Sequence, residues 1–192
     1  MSPREEPVVS PGETPLVSPR EQPVGHARDA LGRRVPPGSP EQVSEISEVA
    51  LPPGQALVAA RALLAAGRAF GAHEIFEAVW KACPATERDL WQGLAQVCVG
   101  LTHLQRGNAV GAQTLLRRGA GHLRESGPPG ATAWPAGEPG DGEPTGREPT
   151  AEEPTAGDPL AVDPVAVADR ATALADRVAA GAGFTPADLR IV

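Results

Sequence analysis

A chain of 192 residues has room for one ordinary domain or slightly more, but 22 prolines and 22 glycines are far above their usual share. With three Phe, three Trp and no Tyr, the folded part must fill its core with Leu, Val and Ala, so one small domain is expected rather than two. The net charge of −7 is unevenly spread: residues 127–163 hold eight acids against Arg147 alone, whereas residues 51–125 hold eight basic residues against five acids. That slight positive bias is no nucleic-acid footprint.

The chain begins with an eight-residue repeat, SPREEPVV (Ser2 to Val9), SPGETPLV (Ser10 to Val17) and SPREQPVG (Ser18 to Gly25). Prolines at this density oppose helix and sheet alike, so residues 1–50 are expected to be a disordered Pro-rich segment, either a solvated tail or an extended docking peptide. The first twenty residues lack the apolar stretch of a signal peptide, and no run approaches the roughly 20 apolar residues of a membrane span. No membrane partner is expected, and the cytoplasm is the default location. Cys83 and Cys98 form no Cys-x-x-Cys pair and are read as reduced packing residues.

Residues 51–125 carry helical periodicity and form the expected core domain. A first helix is predicted from about Gln55 to Ala66, with Leu57, Ala60, Leu63 and Leu64 inward and Gly67 as its stop. A second runs from about Gly71 to Ala82. A third runs from about Thr86 to Arg106, with Thr86 and Asp89 as a capping-box-like start. Gly107-Asn108 ends it and caps a fourth, from about Ala109 to Arg124, whose inward residues are Ala112, Leu115, Leu116 and Leu123. Short connections predict antiparallel neighbours.

Residues 126–163 read as a disordered acidic linker with a period of five, in which Pro139, Pro144, Pro149, Pro154, Pro159 and Pro164 each follow an acid. Its last copy starts a helix, because Asp163 can cap and Pro164 fits a first turn. That helix, about Pro164 to Ala180, opens the last segment, residues 164–192. It presents Val167, Ala171, Leu174 and Val178 on one stripe, has Gly181 as its stop and is too short to be stable alone, so it is expected to fold back on the core. The fold class is therefore all-α: a small antiparallel helical bundle of about four core helices plus a C-terminal helix.

Chemistry concentrates in His73-Glu74-Ile75-Phe76-Glu77-Ala78-Val79-Trp80. On a wheel of ~100° per residue, Ala72, Ile75, Phe76, Val79 and Trp80 form one apolar arc. His73 and Glu77 lie at its Trp80 edge, with Glu74 and Lys81 further toward water. On the third helix Gln92, Gln96 and His103 form a polar stripe, and Gly93 and Gly100 beside it would admit another backbone. If the second helix packs there, His73, Glu77, Trp80, Gln92, Gln96 and His103 line one ligand-binding pocket.

Three readings of that pocket stay open. His73, Glu77 and His103 could hold a divalent metal. Glu77 or Glu74 could do acid/base catalysis, Glu77 in a partly desolvated setting beside an imidazole. Otherwise His73 and Glu77 make a structural hydrogen bond, and the Gln/His stripe is a solvated helix face. His73-Glu74-x-x-Glu77 is not the zinc-protease motif, since Glu77 replaces its second histidine. Trp91 reads as packing at a helix end, and His122 has no constellation around it. Whether the protein is an enzyme is left open at this point.

The blocks Phe70-x-x-His73-Glu74-x-x-Glu77-x-x-Trp80, Trp91-Gln92-Gly93-Leu94, His103 and Gly107-Asn108-x-x-Gly111-Ala112 resemble the bacterial family named domain of unknown function 309. The resemblance covers residues 51–125, and Arg28-Asp29-Ala30-Leu31-Gly32-Arg33 resembles a lead-in of some members. It implies a compact bundle in a bacterial protein and brings no established activity; some members are labelled metal-dependent hydrolases. The long acidic linker departs from the family and puts docking of the last helix in question. Two functions follow as expectations: a helical domain binding a small molecule or a protein partner beside His73 and Glu77, or a metal-dependent hydrolase using His73, Glu77 and His103. The first two helices also resemble a single tetratricopeptide-like hairpin, too little for an array.

Overall fold

The computed structural model describes residues 27–44, 46–126 and 162–192. The helices among them are α1 (Pro53–Ala65), α2 (Ala69–Ala82), α3 (Arg88–Gln105), α4 (Ala109–Glu125) and α5 (Pro164–Ala179), with short 3₁₀ turns at Ala85–Glu87 and Pro186–Leu189. No strand occurs among the described residues, so the all-α class holds. The eight-residue repeats, and the acid-proline series up to Pro159, lie outside the described residues.

Each helix packs on the next, α1 on α2, α2 on α3, α3 on α4 and α4 on α5. Contacts at the ends show the neighbours to be antiparallel: Gln105 at the end of α3 donates to the Gly67 carbonyl before α2 at 2.6 Å, and Asp89 at the start of α3 meets His122 at the end of α4. The core runs through all five helices and includes Leu57, Leu64, Phe76, Val79, Trp91, Leu94, Leu101, Leu116, Leu123, Val167 and Leu174. Each large side chain buried there contributes about 1.5–3 kcal/mol. Cys83 and Cys98 are free and buried, and burial pushes the Cys98 thiol far up, which makes both packing residues.

The predicted punctuation is used. Gly67, Gly107 and Gly181 have φ of +78°, +77° and +83°. After each, the next N–H reaches back to the carbonyl five residues before it: Arg68 to Leu63, Asn108 to His103 and Ala182 to Arg177. This is the Schellman ending, which needs a left-handed residue that glycine supplies without strain. Asn108 caps α4 by accepting from the Gly111 N–H, and Asp163 caps α5 by accepting from the Val165 and Ala166 N–H groups.

The start of α3 differs from expectation. Thr86 lies in the 3₁₀ turn and no side chain caps the helix. Asp89 turns instead to His122, and the Glu87 carboxylate is engaged by the buried Trp91 indole N–H at 3.0 Å. The wheel's placement of Gly93 and Gly100 is also re-aimed, because the helix they admit is α4. A Cβ on Gly93 would lie 2.7 Å from Leu123 Cγ, one on Gly100 2.8 Å from Leu116 Cγ, and one on Gly119 2.8 Å from the Gly93 carbonyl oxygen.

Residues 27–44 and 46–50, expected within a disordered segment, form turns and bends held against the bundle. The buried Asp29 carboxylate accepts from the Leu31 and Arg33 N–H groups and from the Arg33 side chain. The Arg106 guanidinium reaches the Leu31 carbonyl, and Arg28 and Arg106 both stack on the Phe70 ring. Pro and Gly density misleads here because Arg28 to Arg33 supplies its own turn hydrogen bonds.

Helix α5 folds back as expected, burying Val167, Ala168, Ala171, Leu174, Ala175 and Val178. Two exposed ion pairs, Arg117 with Asp176 at 2.9 Å and Arg124 with Asp169 at 3.0 Å, align it antiparallel to α4. The tail after it is pinned by Arg170 donating to the Ile191 carbonyl at 3.0 Å.

Candidate functional site

Positions 73, 77 and 81 recur once per turn on α2, which brings their side chains into register. His73 Nε2 lies 3.0 Å from Glu77 Oε2, and Lys81 Nζ lies 2.9 Å from Glu77 Oε1. The Lys81 hydrogen bond holds the Glu77 carboxyl below its usual range against the opposing effect of burial. Burial pushes His73 below its usual value, with Glu77 and the nearby Ala95 carbonyl of α3 opposing. Both shifts point to one state at neutral pH, a Glu77 carboxylate facing a neutral imidazole. In the tautomer that places the proton on Nε2, facing Glu77, Nδ1 is a bare acceptor.

That Nδ1 is buried and has no hydrogen-bond partner among the described residues. Trp80 Nε1 and Gln96 Oε1 are in the same condition. His73 and Trp80 are seven residues apart and so share a stripe of α2, while Gln96 follows Ala95, whose carbonyl approaches His73. In that tautomer α2 carries one unused acceptor and one unused donor, and α3 one unused acceptor. Leaving such groups unpaired costs about 1–3 kcal/mol each.

A pH dependence follows from the lowered His73 value. The unfolded chain takes up a proton near 6.5, and the folded chain resists it. Stability is therefore full above that pH and falls as pH drops below it, by at most about 1.4 kcal/mol per pH unit from this residue. Glu77 adds a further loss below its unfolded value of 4.5, as pH falls through its lowered folded value. Urea midpoints at pH 7.5 and 5.5 should show the fall, and His73→Gln should flatten it. An unchanged slope in that variant would contradict the assignment.

His103 does not join His73 and Glu77. Its Nδ1 lies 2.8 Å from the Asn108 side-chain nitrogen, and a Cβ on Gly111 would lie 2.5 Å from that Nδ1, which places the ring at the corner between α3 and α4. Both Glu77 oxygens are already engaged, and the three residues form no group of ligand atoms lying within 4.8 Å of one another. A metal on His73, Glu77 and His103 therefore does not fit this arrangement. Glu74 and Gln92 are both half-buried.

One constellation escaped the sequence reading, which gave His122 no neighbours. Asp89 Oδ1 lies 3.0 Å from His122 Nδ1, and Glu125 joins them, each residue offering a ligand atom within 4.8 Å of the others. The spacing of three between His122 and Glu125 was a visible signal. Asp89 was not, since only antiparallel packing brings the start of α3 to the end of α4.

Residues 57–115 match a family model described as Domain of unknown function (DUF309). The DUF309 match starts inside α1 and ends inside α4, so it includes His73, Glu77, Trp80, Gln96 and His103 and stops before His122. No curated protein and no solved structure matches the chain. Among the described residues no helix is long and apolar enough to cross a membrane.

Proposed function

We propose that the seam between α2 and α3, beside His73 and Glu77, binds a small polar ligand or the equivalent side chain of a protein partner. The observation that carries this reading is that three buried polar atoms, His73 Nδ1, Trp80 Nε1 and Gln96 Oε1, have no hydrogen-bond partner among the described residues, while His73 Nε2 faces Glu77. The matching ligand offers donors to Nδ1 and to Gln96 and an acceptor to the indole N–H, as a primary amide does. Burial of these atoms favours a small molecule over an extended surface. A neutral imidazole held by a carboxylate can also take a proton from what it binds, so acid/base chemistry at His73 is the form catalysis would take here, with Glu77 as the positioning residue. The metal-dependent hydrolase reading lacks its third ligand at His103. The cytoplasm is the setting that suits this reading, with Cys83 and Cys98 as free thiols.

The test is a nitrogen-correlated NMR titration of the full chain with a panel of small primary amides and amino-acid amides. A binder should shift the Trp80 indole N–H signal, and His73→Ala and Gln96→Ala should each weaken it about tenfold, the size of one hydrogen bond. If no compound moves Trp80, or binders move only other indoles, the reading fails.

A further inference from the structure

We propose that Asp89, His122 and Glu125 form a binding site for a divalent transition-metal ion of the zinc class, clipping the start of α3 to the end of α4. The donor set is one imidazole nitrogen and two carboxylates, with their ligand atoms all within 4.8 Å of one another. Tetrahedral ligands at ~2.0–2.2 Å from a zinc ion are about 3.4 Å apart, so the group must contract by little. Asp89 and Glu125 are half-buried and exposed, on side chains free to make that adjustment, and His122 is the more buried anchor between them.

Electrostatics also favours a cation at this corner. Glu125 is the last residue of α4, where a carboxylate meets the negative end of the helix dipole. It lies beside a second carboxylate, Asp89, and has no ion-pair partner among the described residues. The nearest arginine in sequence, Arg124, is turned away to Asp169 and Thr172 of α5. With a neutral imidazole the three side chains carry two negative charges, which a dication neutralises. The imidazole selects a transition ion over calcium or magnesium, which prefer oxygen-only sites. The site lies at the opposite end of α3 from His103, and three protein ligands leave a coordination position for water.

Calorimetric titration of the untagged full chain with zinc, after chelator treatment and desalting, tests this, with the visible absorption of cobalt(II) as a second readout. One equivalent is expected to bind. His122→Ala should abolish that event, and Asp89→Asn and Glu125→Gln should each weaken it at least tenfold, while His73→Ala leaves it unchanged. Glu125 is exposed, so Glu125→Gln reports on the site without threatening the fold. No heat and no cobalt absorption, a binding event that survives His122→Ala, or one lost in His73→Ala or His103→Ala would each overturn the proposal.

Discussion

Trp91→Ala is expected to lower the free energy of unfolding by about 3–5 kcal/mol, the range for deleting a buried aromatic side chain. Trp91 is 1% exposed and packs near the Phe76 ring, with centroids 6.1 Å apart, so it joins α3 to α2 at the centre of the bundle. Its indole N–H is also the donor to the Glu87 carboxylate at 3.0 Å, and Glu87 is only 9% exposed. Truncation therefore opens a cavity and strands a buried acid, two costs from one substitution. Trp91→Phe separates them: it keeps most of the volume and loses the donor, and should cost about 1–3 kcal/mol. Urea unfolding of the two variants measures both. A loss below about 1 kcal/mol for Trp91→Ala would mean that the bundle is not built on this residue.

What the sequence could and could not reveal divides along the range of the interactions. Helix ends at Gly67, Gly107 and Gly181, and the caps Asn108 and Asp163, were legible because they depend on neighbours within one turn. The His73–Glu77 contact was legible for the same reason. Trp91 was read as packing at a helix end, yet its depth depends on Phe76 from another helix. The polar stripe of Gln92, Gln96 and His103 is where the wheel misled. It treats one face as one environment, whereas the structure buries Gln96 Oε1 without a partner and turns His103 to Asn108 and α4. Close contact at Gly93 and Gly100 was foreseen without its partner, since a missing side chain marks an approach but not what approaches. Asp89 with His122 and Glu125 needed the tertiary fold outright.

The same distinction bears on the C-terminal helix, whose sequence showed an apolar stripe but not the surface that covers it. In the structure α4 lies between α3 and α5, and the last segment buries Val167, Leu174, Val178, Leu189 and Ile191. A chain ending at Ser126 should therefore lose several kcal/mol, because each of these side chains contributes about 1.5–3 kcal/mol when buried and the facing side of α4 becomes exposed. For a bundle of this size that corresponds to a fall in melting temperature of more than about 10 °C. The ion pairs across the same face contribute far less, as exposed pairs are worth about 0–1 kcal/mol. Arg117→Ala with Arg124→Ala should then shift the melt by only a few degrees, and the difference between the two experiments isolates apolar burial as the cause. If the shortened chain melts within about 3 °C of the full one, α5 is an appendage rather than the fifth member of the bundle, and its stripe belongs to another partner.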